Sequence, residues 1–372
     1  MSVFECKLVK TVDDSYNIEI GRSLVDTLVS EISGGVFGDY KKLAVITDSN
    51  VLPLYAEDIT QKLCEKGIKA ELFSFEAGEQ SKTREVKAFI EDSMLACGLR
   101  RDCMVVAVGG GVVSDLAGFI AGTFGRGVPF VIYSTTLLSA ADASIGGKTA
   151  VDTPLATNLI GLFNQPRKVY IDIDTWKTLS ERHISCGLAE TIKHALIADC
   201  DLFCYLEENI ERVFSLDKEV CEHIAEANCR VKYQVVMKDE RESSLREILN
   251  LGHTAGRAVE TVSGYRLEHG EAVAIGLVAA ALLSQDLGFT TADDVERVKN
   301  LIQRAKLPTE IPQYIDKNKL LKKLYTDKKV RNGKLRFVLQ KGIGNVVYSD
   351  EQGAGYALPI SESQIASVFE RM

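Results

Sequence analysis

The chain predicts a two-part fold: an α/β half built on a parallel sheet, then a mainly α-helical half. Three observations carry this. A length of 372 residues suits about two domains at roughly 100–200 residues each. Up to about Asp174, short β-branched runs alternate with amphipathic stretches. Beyond Thr178 the long segments take on helical spacing and β-branched runs become scarce.

The strands come first. KLAVIT (Lys42 to Thr47), CMVVAV (Cys103 to Val108), FVIYST (Phe130 to Thr135) and KVYIDI (Lys168 to Ile173) are nearly continuous apolar runs bounded by Gly, Pro, Asp or Asn. Helical segments such as Ser81 to Cys97 separate them, the pattern of a parallel sheet covered on both faces. In the second half, Gly187–Ile197, Leu216–Val236, His253–Val262 and His269–Gln285 read as helices. Only KLRFVL (Lys334 to Leu339), after the charged DKKVRNGK loop, reads as a late strand. A packed hinge is expected near Asp174–Leu179, since no low-complexity linker or internal repeat intervenes.

Composition narrows the function. A formal charge of −8, with 46% hydrophobic and 26% charged residues, is that of an ordinary globular protein. Lacking a dense Lys/Arg block, it argues against nucleic acid or an anionic membrane as partner. The longest apolar run, Ala272 to Leu283, is far shorter than the roughly 18–20 residues of a membrane span and reads as a buried helix. MSVFECKLVK lacks the apolar core of a signal peptide, so a cytoplasmic protein is expected. The nine cysteines form no CxxC pair and are expected to be reduced and mostly buried.

Several motifs carry chemistry. GGGVVSDLAG (Gly109 to Gly118) follows a strand and opens a helix. Its glycines would let backbone approach a pyrophosphate, and the helix would offer unpaired N–H groups and a positive dipole end. A structural turn is the competing reading, because the GxGxxG fingerprint is absent. Asp48 and Asn50 close an earlier strand, where such side chains hold a ribose or cap a helix. DASIGGKTAVDTPLATN (Asp142 to Asn158) sets two glycines beside Lys148, and Arg126 lies between Gly125 and Gly127. Each basic group is either an anion ligand or a solvated loop residue.

Two of the five histidines, His253 and His269, sit beside glycine in NLGHTAGR and LEHGEA. With Glu190 of the helical AETIKH they would make a three-ligand zinc site with an open position, although a His beside Gly is more often a cap or a core residue. Between Glu190 and His253, Glu242 and Arg246 stand at helical i,i+4 spacing and could form a surface ion pair; the functional reading is an arginine and a lysine of this segment, which also carries Lys232 and Lys238, aimed at a substrate anion.

Taken in order, GEQSKTRE, GGGVVSDLAGFIAGTFGRG, STTLL, DASIGGKTAVDTP, GLAETIKHALI, KDERESSLREILNLGHT, HGEAVAIG and DKK resemble the 3-dehydroquinate synthases of the sugar-phosphate cyclase family, over about Tyr16 to Gly344. The resemblance implies an NAD-binding α/β domain at 1–178 and a helical metal- and substrate-binding domain at 179–372, usually as a homodimer. It implies conversion of 3-deoxy-D-arabino-heptulosonate 7-phosphate into 3-dehydroquinate and phosphate, with transient oxidation by NAD, elimination, re-reduction and intramolecular aldol closure.

It also implies roles. Glu190, His253 and His269 match the zinc ligands, a set that would accept cobalt equally. Asp142, Lys193 and Lys232 match groups around the reacting hydroxyls and the carboxylate. Arg246 and Asn250 match substrate anchors, with Glu242 beside them. Lys148, Asn158 and one of Lys328 or Lys329 match the phosphate set, and Arg126 an arginine offered to the partner subunit's phosphate. Asp48, Asn50, Glu79, Lys82, Gly110, Gly111, Asp115, Thr135, Thr136, Asp142, Thr178 and Leu179 fall on or beside NAD-contact positions.

Three departures stand out: Arg257 where a second histidine is usual near the phosphate, Thr157 for a lysine and His183 for a glutamate. Arg257 can still bind an anion but cannot exchange protons near neutrality. Two other readings follow: a related cyclase acting on sedoheptulose 7-phosphate or another sugar phosphate, and an inactive NAD- and zinc-binding scaffold. A simple metal-dependent dehydrogenase would differ from all of these by releasing NADH.

Overall fold

The computed structural model describes residues 3–325, 335–351 and 355–372. Lys328 and Lys329 lie outside the described residues.

The first half runs β1 (Asn17–Gly21), α1 (Val25–Ser33), β2 (Lys42–Asp48), α2 (Glu57–Glu65), β3 (Lys69–Phe75), α3 (Arg84–Ala96), β4 (Cys103–Gly109), α4 (Gly111–Thr123), β5 (Phe130–Ser134), β6 (Lys148–Thr153), β7 (Ala156–Phe163) and β8 (Lys168–Asp172). Six strands form one parallel sheet in the order β1-β8-β5-β4-β2-β3. Alternation along the strands explains why both faces are covered. Leu43, Val45, Met104 and Val106 pack with α1 and α2 on one side, while Ala44, Ile46, Val105 and Ala107 join the core shared with α3, α4 and the helical half. Consecutive residues of one strand thus serve opposite cores.

The four expected strands form. β1 and β3 escape the apolar-run criterion because NIEIG is short and KAELFSF carries charge, as the two sheet edges permit. The expected Lys148 loop is instead an antiparallel hairpin, β6 with β7.

The second half comprises α5 (Glu181–Ala198), α6 (Cys200–Phe214), α7 (Lys218–Lys238), α8 (His253–Val262), α9 (His269–Asp286), α10 (Ala292–Arg304), α11 (Lys317–Leu324), the antiparallel pair β9 (Leu335–Val338) and β10 (Ala357–Ile360), and α12 (Glu362–Glu370). The expected hinge is a 3-10 turn, Ile173–Thr178, after which Ser180 caps α5 by accepting the His183 N–H. The apolar run of α9 is buried throughout, and among the described residues no helix is long and apolar enough to cross a membrane.

Two expectations need correction. The cysteines are all free, but Cys6, Cys64, Cys200 and Cys204 are exposed and only Cys103, Cys186, Cys221 and Cys229 are buried. Glu242 and Arg246 do not share a helix, because α7 stops at Lys238. Asp239 then accepts the backbone N–H groups of Ser243, Ser244 and Arg246 at 2.8–2.9 Å, which folds the segment into a loop, and Glu242 takes a left-handed φ of 59°.

Candidate active site

Three helices bring the expected metal ligands together. Glu190 lies inside α5, while His253 and His269 are the first residues of α8 and α9. Their ligand atoms lie within 4.8 Å of one another. The Nε2 atoms of both histidines stand 3.5 Å from Glu190 Oε1. Glu190 is fully buried; its Oε2 pairs with Lys193, while Oε1, which both imidazoles face, has no hydrogen-bond partner, which costs free energy unless a cation is held there.

The opposite ring nitrogens are engaged behind the site. His253 Nδ1 lies 3.2 Å from the Leu251 carbonyl and His269 Nδ1 3.5 Å from Glu260 Oε1. This leaves both Nε2 atoms facing the carboxylate, the outer-shell arrangement that orients imidazoles toward a metal. A carboxylate with two imidazoles suits zinc or cobalt, so the residues fit the ion that the sequence suggested.

The helices approach this closely because glycines line the contact. A Cβ on Gly276 would overlap the Gly252 carbonyl oxygen, and one on Gly270 would stand 2.5 Å from the Cys186 carbonyl oxygen. The glycines beside the histidines therefore serve helix packing.

A cluster of charges borders the trio. Lys193, one turn beyond Glu190 and fully buried, pairs with it and lies 3.9 Å from Asp142. Asp142, in the turn Ser139–Ala143 after β5, also pairs with Lys232 of α7. Burial would raise Asp142, but Lys193 and Lys232 outweigh it and hold the carboxyl well below its ordinary range. Burial pushes Lys232 down to about 8 despite Asp142, whereas Lys193, though buried, is raised by Asp142 and Glu190. Arg257, partly buried on α8, lies near enough for its charge to act on both Lys193 and His253.

Next to this cluster Arg246 is almost fully buried. Its guanidinium donates to the carbonyls of Glu240 and, at 3.0 Å, Gly146, while Nε has no partner. Glu242 accepts from Asn250 Nδ2 at 2.7 Å and pairs with Lys148. It thus gathers two expected anion ligands and does not pair with Arg246. Asn158, exposed on β7 with a φ of 54°, is held by Asp152, which accepts its N–H at 2.7 Å. Arg126 stands exposed on the turn after α4 with a φ of 74° and is not among the groups that meet at Glu190.

The expected nucleotide positions lie along the carboxyl ends of the strands, around the point between β2 and β4 where the strand order reverses. Gly110 is the N-cap of α4 and supplies no side chain, so first-turn N–H groups are left to an anion. A Cβ there would press on Thr136 at 3.1 Å, and one on Gly111 on Ala143 at 3.2 Å. The Thr135 hydroxyl is buried without a partner. Lys82 is buried between Glu79 and Asp115, the latter at 3.2 Å, and burial lifts Asp115 to about 6. Asp48 Oδ1 accepts the Asn50 and Val51 N–H groups at 2.9 Å, so its capping role is present. Thr178 bonds Tyr55 Oη at 2.9 Å, and Leu179 is partly buried beside it. These groups fit a dinucleotide: open N–H groups, a close backbone approach and unpartnered hydroxyls.

Sequence reasoning missed Glu260, Asp239 and Asp152. Glu260 lies seven residues from His253 and nine from His269, so only the folded helices reveal its role. The Asp-x3-Ser-Ser order of the loop was the one available signal for Asp239.

A parallel α/β half and a helical half enclosing an acid–imidazole trio define a two-domain metal-ligating class of protein. The 3-dehydroquinate synthase N-terminal family matches residues 72–186, and its C-terminal counterpart matches 187–330. The 3-dehydroquinate synthase of Desulforamulus reducens is 42% identical over 94% of this chain and 97% of its own length. That of Geobacter metallireducens is 46% identical over 81% and 84%. A solved 2-epi-5-epi-valiolone synthase from Streptomyces hygroscopicus, with NAD+ and Zn2+ bound, superposes with a TM-score of 0.86 at 26% identity, covering 99% of both chains. The chain belongs to the 3-dehydroquinate synthase family.

Proposed function

We propose that this protein is a 3-dehydroquinate synthase of the shikimate route, a carbon–oxygen lyase that releases phosphate from 3-deoxy-D-arabino-heptulosonate 7-phosphate as it forms the carbocycle. The observation that carries the reading is the convergence of Glu190, His253 and His269 beside Lys193, Lys232 and Asp142. Relatives 42% and 46% identical over most of the chain carry that name.

The α/β half, 1–178, holds NAD along Gly110, Gly111, Thr135, Lys82 and Asp115, and the helical half, 179–372, holds the metal and substrate. When bound, NAD supplies a hydride acceptor that later gives the hydride back. Zinc, or cobalt, supplies a Lewis acid for the substrate hydroxyls.

The chain's own groups do the rest. Asp142 stays ionised and fixes two ammoniums at the reacting carbons. Lys232, shifted to about 8, is tuned to exchange a proton near neutrality. Arg246 and Asn250 meet the carboxylate. Lys148, Asn158 and Arg257 form the phosphate end, to which a partner subunit adds its arginine in a homodimer. All nine cysteines are unpaired, in keeping with a reducing cytoplasm.

The test offers the purified protein, with NAD+ and zinc, either the heptulosonate phosphate or sedoheptulose 7-phosphate. Phosphate release from the acid alone is expected. Release from the non-acid sugar alone would reassign the protein to another cyclase activity, and release from neither, with tight NAD+ binding, would leave a scaffold.

A further inference from the structure

The Arg246 guanidinium, from the helical half, bonds to the α/β half at the Gly146–Gly147 pair just before β6. Both glycines take left-handed φ values, 97° and 63°, and two adjacent glycines leave the carbonyl between them free to turn. A Cβ on Gly146 would overlap Arg246 Nη2, so the guanidinium lies directly against backbone. Nη2 donates to the Gly146 carbonyl at 3.0 Å and Nη1 donates to the Glu240 carbonyl. The Phe163 ring stands 5.7 Å from the guanidinium carbon, within reach of a cation–π contact.

What holds the glycine pair comes from elsewhere in the chain. Gly146 is buried, and its N–H donates to Tyr16 Oη at 3.0 Å. Tyr16 stands immediately before β1 with its ring packed against the core, and it has no part in the roles assigned above. On the other side, the Asn164 N–H donates to the Gly147 carbonyl at 2.8 Å. The Gly146 carbonyl lies between these two fixed points, so they set its direction.

We propose that Tyr16 is a positioning residue for the synthase reaction: its hydroxyl fixes the Gly146 backbone, whose carbonyl in turn aims the Arg246 guanidinium at the substrate carboxylate. A phenol suits the task because it accepts the N–H without bringing a charge beside the arginine. A phenylalanine there would leave a buried N–H unmet and let the glycine turn. The inference rests on the functional reading above, which gives Arg246 the carboxylate, and its test separates the two.

Tyr16→Phe keeps the packed ring and removes one oxygen. Because Arg246 holds the acid and touches no reacting atom, KM for the heptulosonate phosphate should rise about tenfold while kcat stays within about threefold. In an Arg246→Lys background the same substitution should change KM by less than about twofold, since its effect passes through the guanidinium. Hydrogen exchange reads the contact without activity. In the holoenzyme with NAD+ and zinc, deuterium uptake at the Gly146 amide should quicken at least about tenfold on Tyr16→Phe.

An unchanged KM in Tyr16→Phe would overturn the proposal, as would an equal rise with Arg246 present and replaced. So would Gly146 exchange that is as slow in Tyr16→Phe as in the native protein. A native protein that releases no phosphate from the heptulosonate phosphate would sink the functional reading, while the exchange comparison would still judge whether Tyr16 holds the glycine.

Discussion

Replacing Gly276 by alanine should pull the metal site apart without touching a ligand. Gly276 is buried inside α9, against the start of α8. A methyl group there would overlap the Gly252 carbonyl oxygen and stand 2.8 Å from its carbonyl carbon and 2.9 Å from Gly256 N. Every one of these atoms is backbone, so no rotamer change can relieve the clash. Ordinary carbon contacts begin near 3.5 Å, and the overlap with the Gly252 oxygen requires the helices to part by about 1.5 Å.

His253 opens α8 and His269 opens α9, so that separation falls on the ligand trio, where metal bonds tolerate only about 0.2 Å. Overpacking of this kind costs roughly 1–3 kcal/mol, and at about 2–4 °C per kcal/mol in a domain of this size Tm should fall by several degrees. Chelator competition should show zinc affinity down at least tenfold. An alanine variant with unchanged zinc affinity and Tm would refute the argument that glycine contacts build the site.

Further outcomes follow from the surrounding groups. Glu260→Gln should weaken zinc binding by roughly 10–100-fold, measured by the same competition, because it weakens the acceptor behind His269. Lys232 sits at about 8, below its ordinary 10.5, so kcat/KM should decline as pH rises through about 8 and the ammonium is lost. Lys232→Arg keeps the charge but cannot exchange a proton near neutrality, so kcat/KM should fall at least tenfold and what remains should show no alkaline limb near pH 8. The same depressed value means the unfolded chain binds more protons between about pH 8 and 10.5, so Lys232's cost to stability fades as pH rises there. Arg257→His should keep kcat/KM within about tenfold, or 1.4 kcal/mol, if the arginine only replaces a phosphate contact. Complete loss would mean the pocket is built around the guanidinium.

How much of this was legible depended on whether local chemistry or distant partners set each feature. A strand buried on both faces, such as Cys103–Gly109, announces itself as an unbroken apolar run, and the helix His253–Val262 by its helical period. Edge strands β1 and β3 escape because a sheet edge tolerates charge. The loop after Lys238 reads as helix until Asp239 is seen collecting three backbone N–H groups, and with it falls the supposed pairing of Glu242 with Arg246.

The trio itself was nameable from residue types, but its convergence depends on which backbone each glycine meets. His beside Gly suggested a cap or a core residue, and Gly252 does cap α8, but the contacts that matter are tertiary. Gly252 meets Gly276, and Gly270 meets Cys186, contacts 24 and 84 residues apart in sequence. Glu260 is silent for the same reason, since a group that works by orienting another shows its purpose only once both are placed.

The most direct test of the account is the stoichiometry of one reaction. With zinc, substrate and far less NAD+ than substrate, 3-dehydroquinate and phosphate should accumulate in equal amounts, many of each per NAD+, with no net NADH. Accumulation of NADH in step with consumed substrate, or dehydroquinate without phosphate, would contradict it.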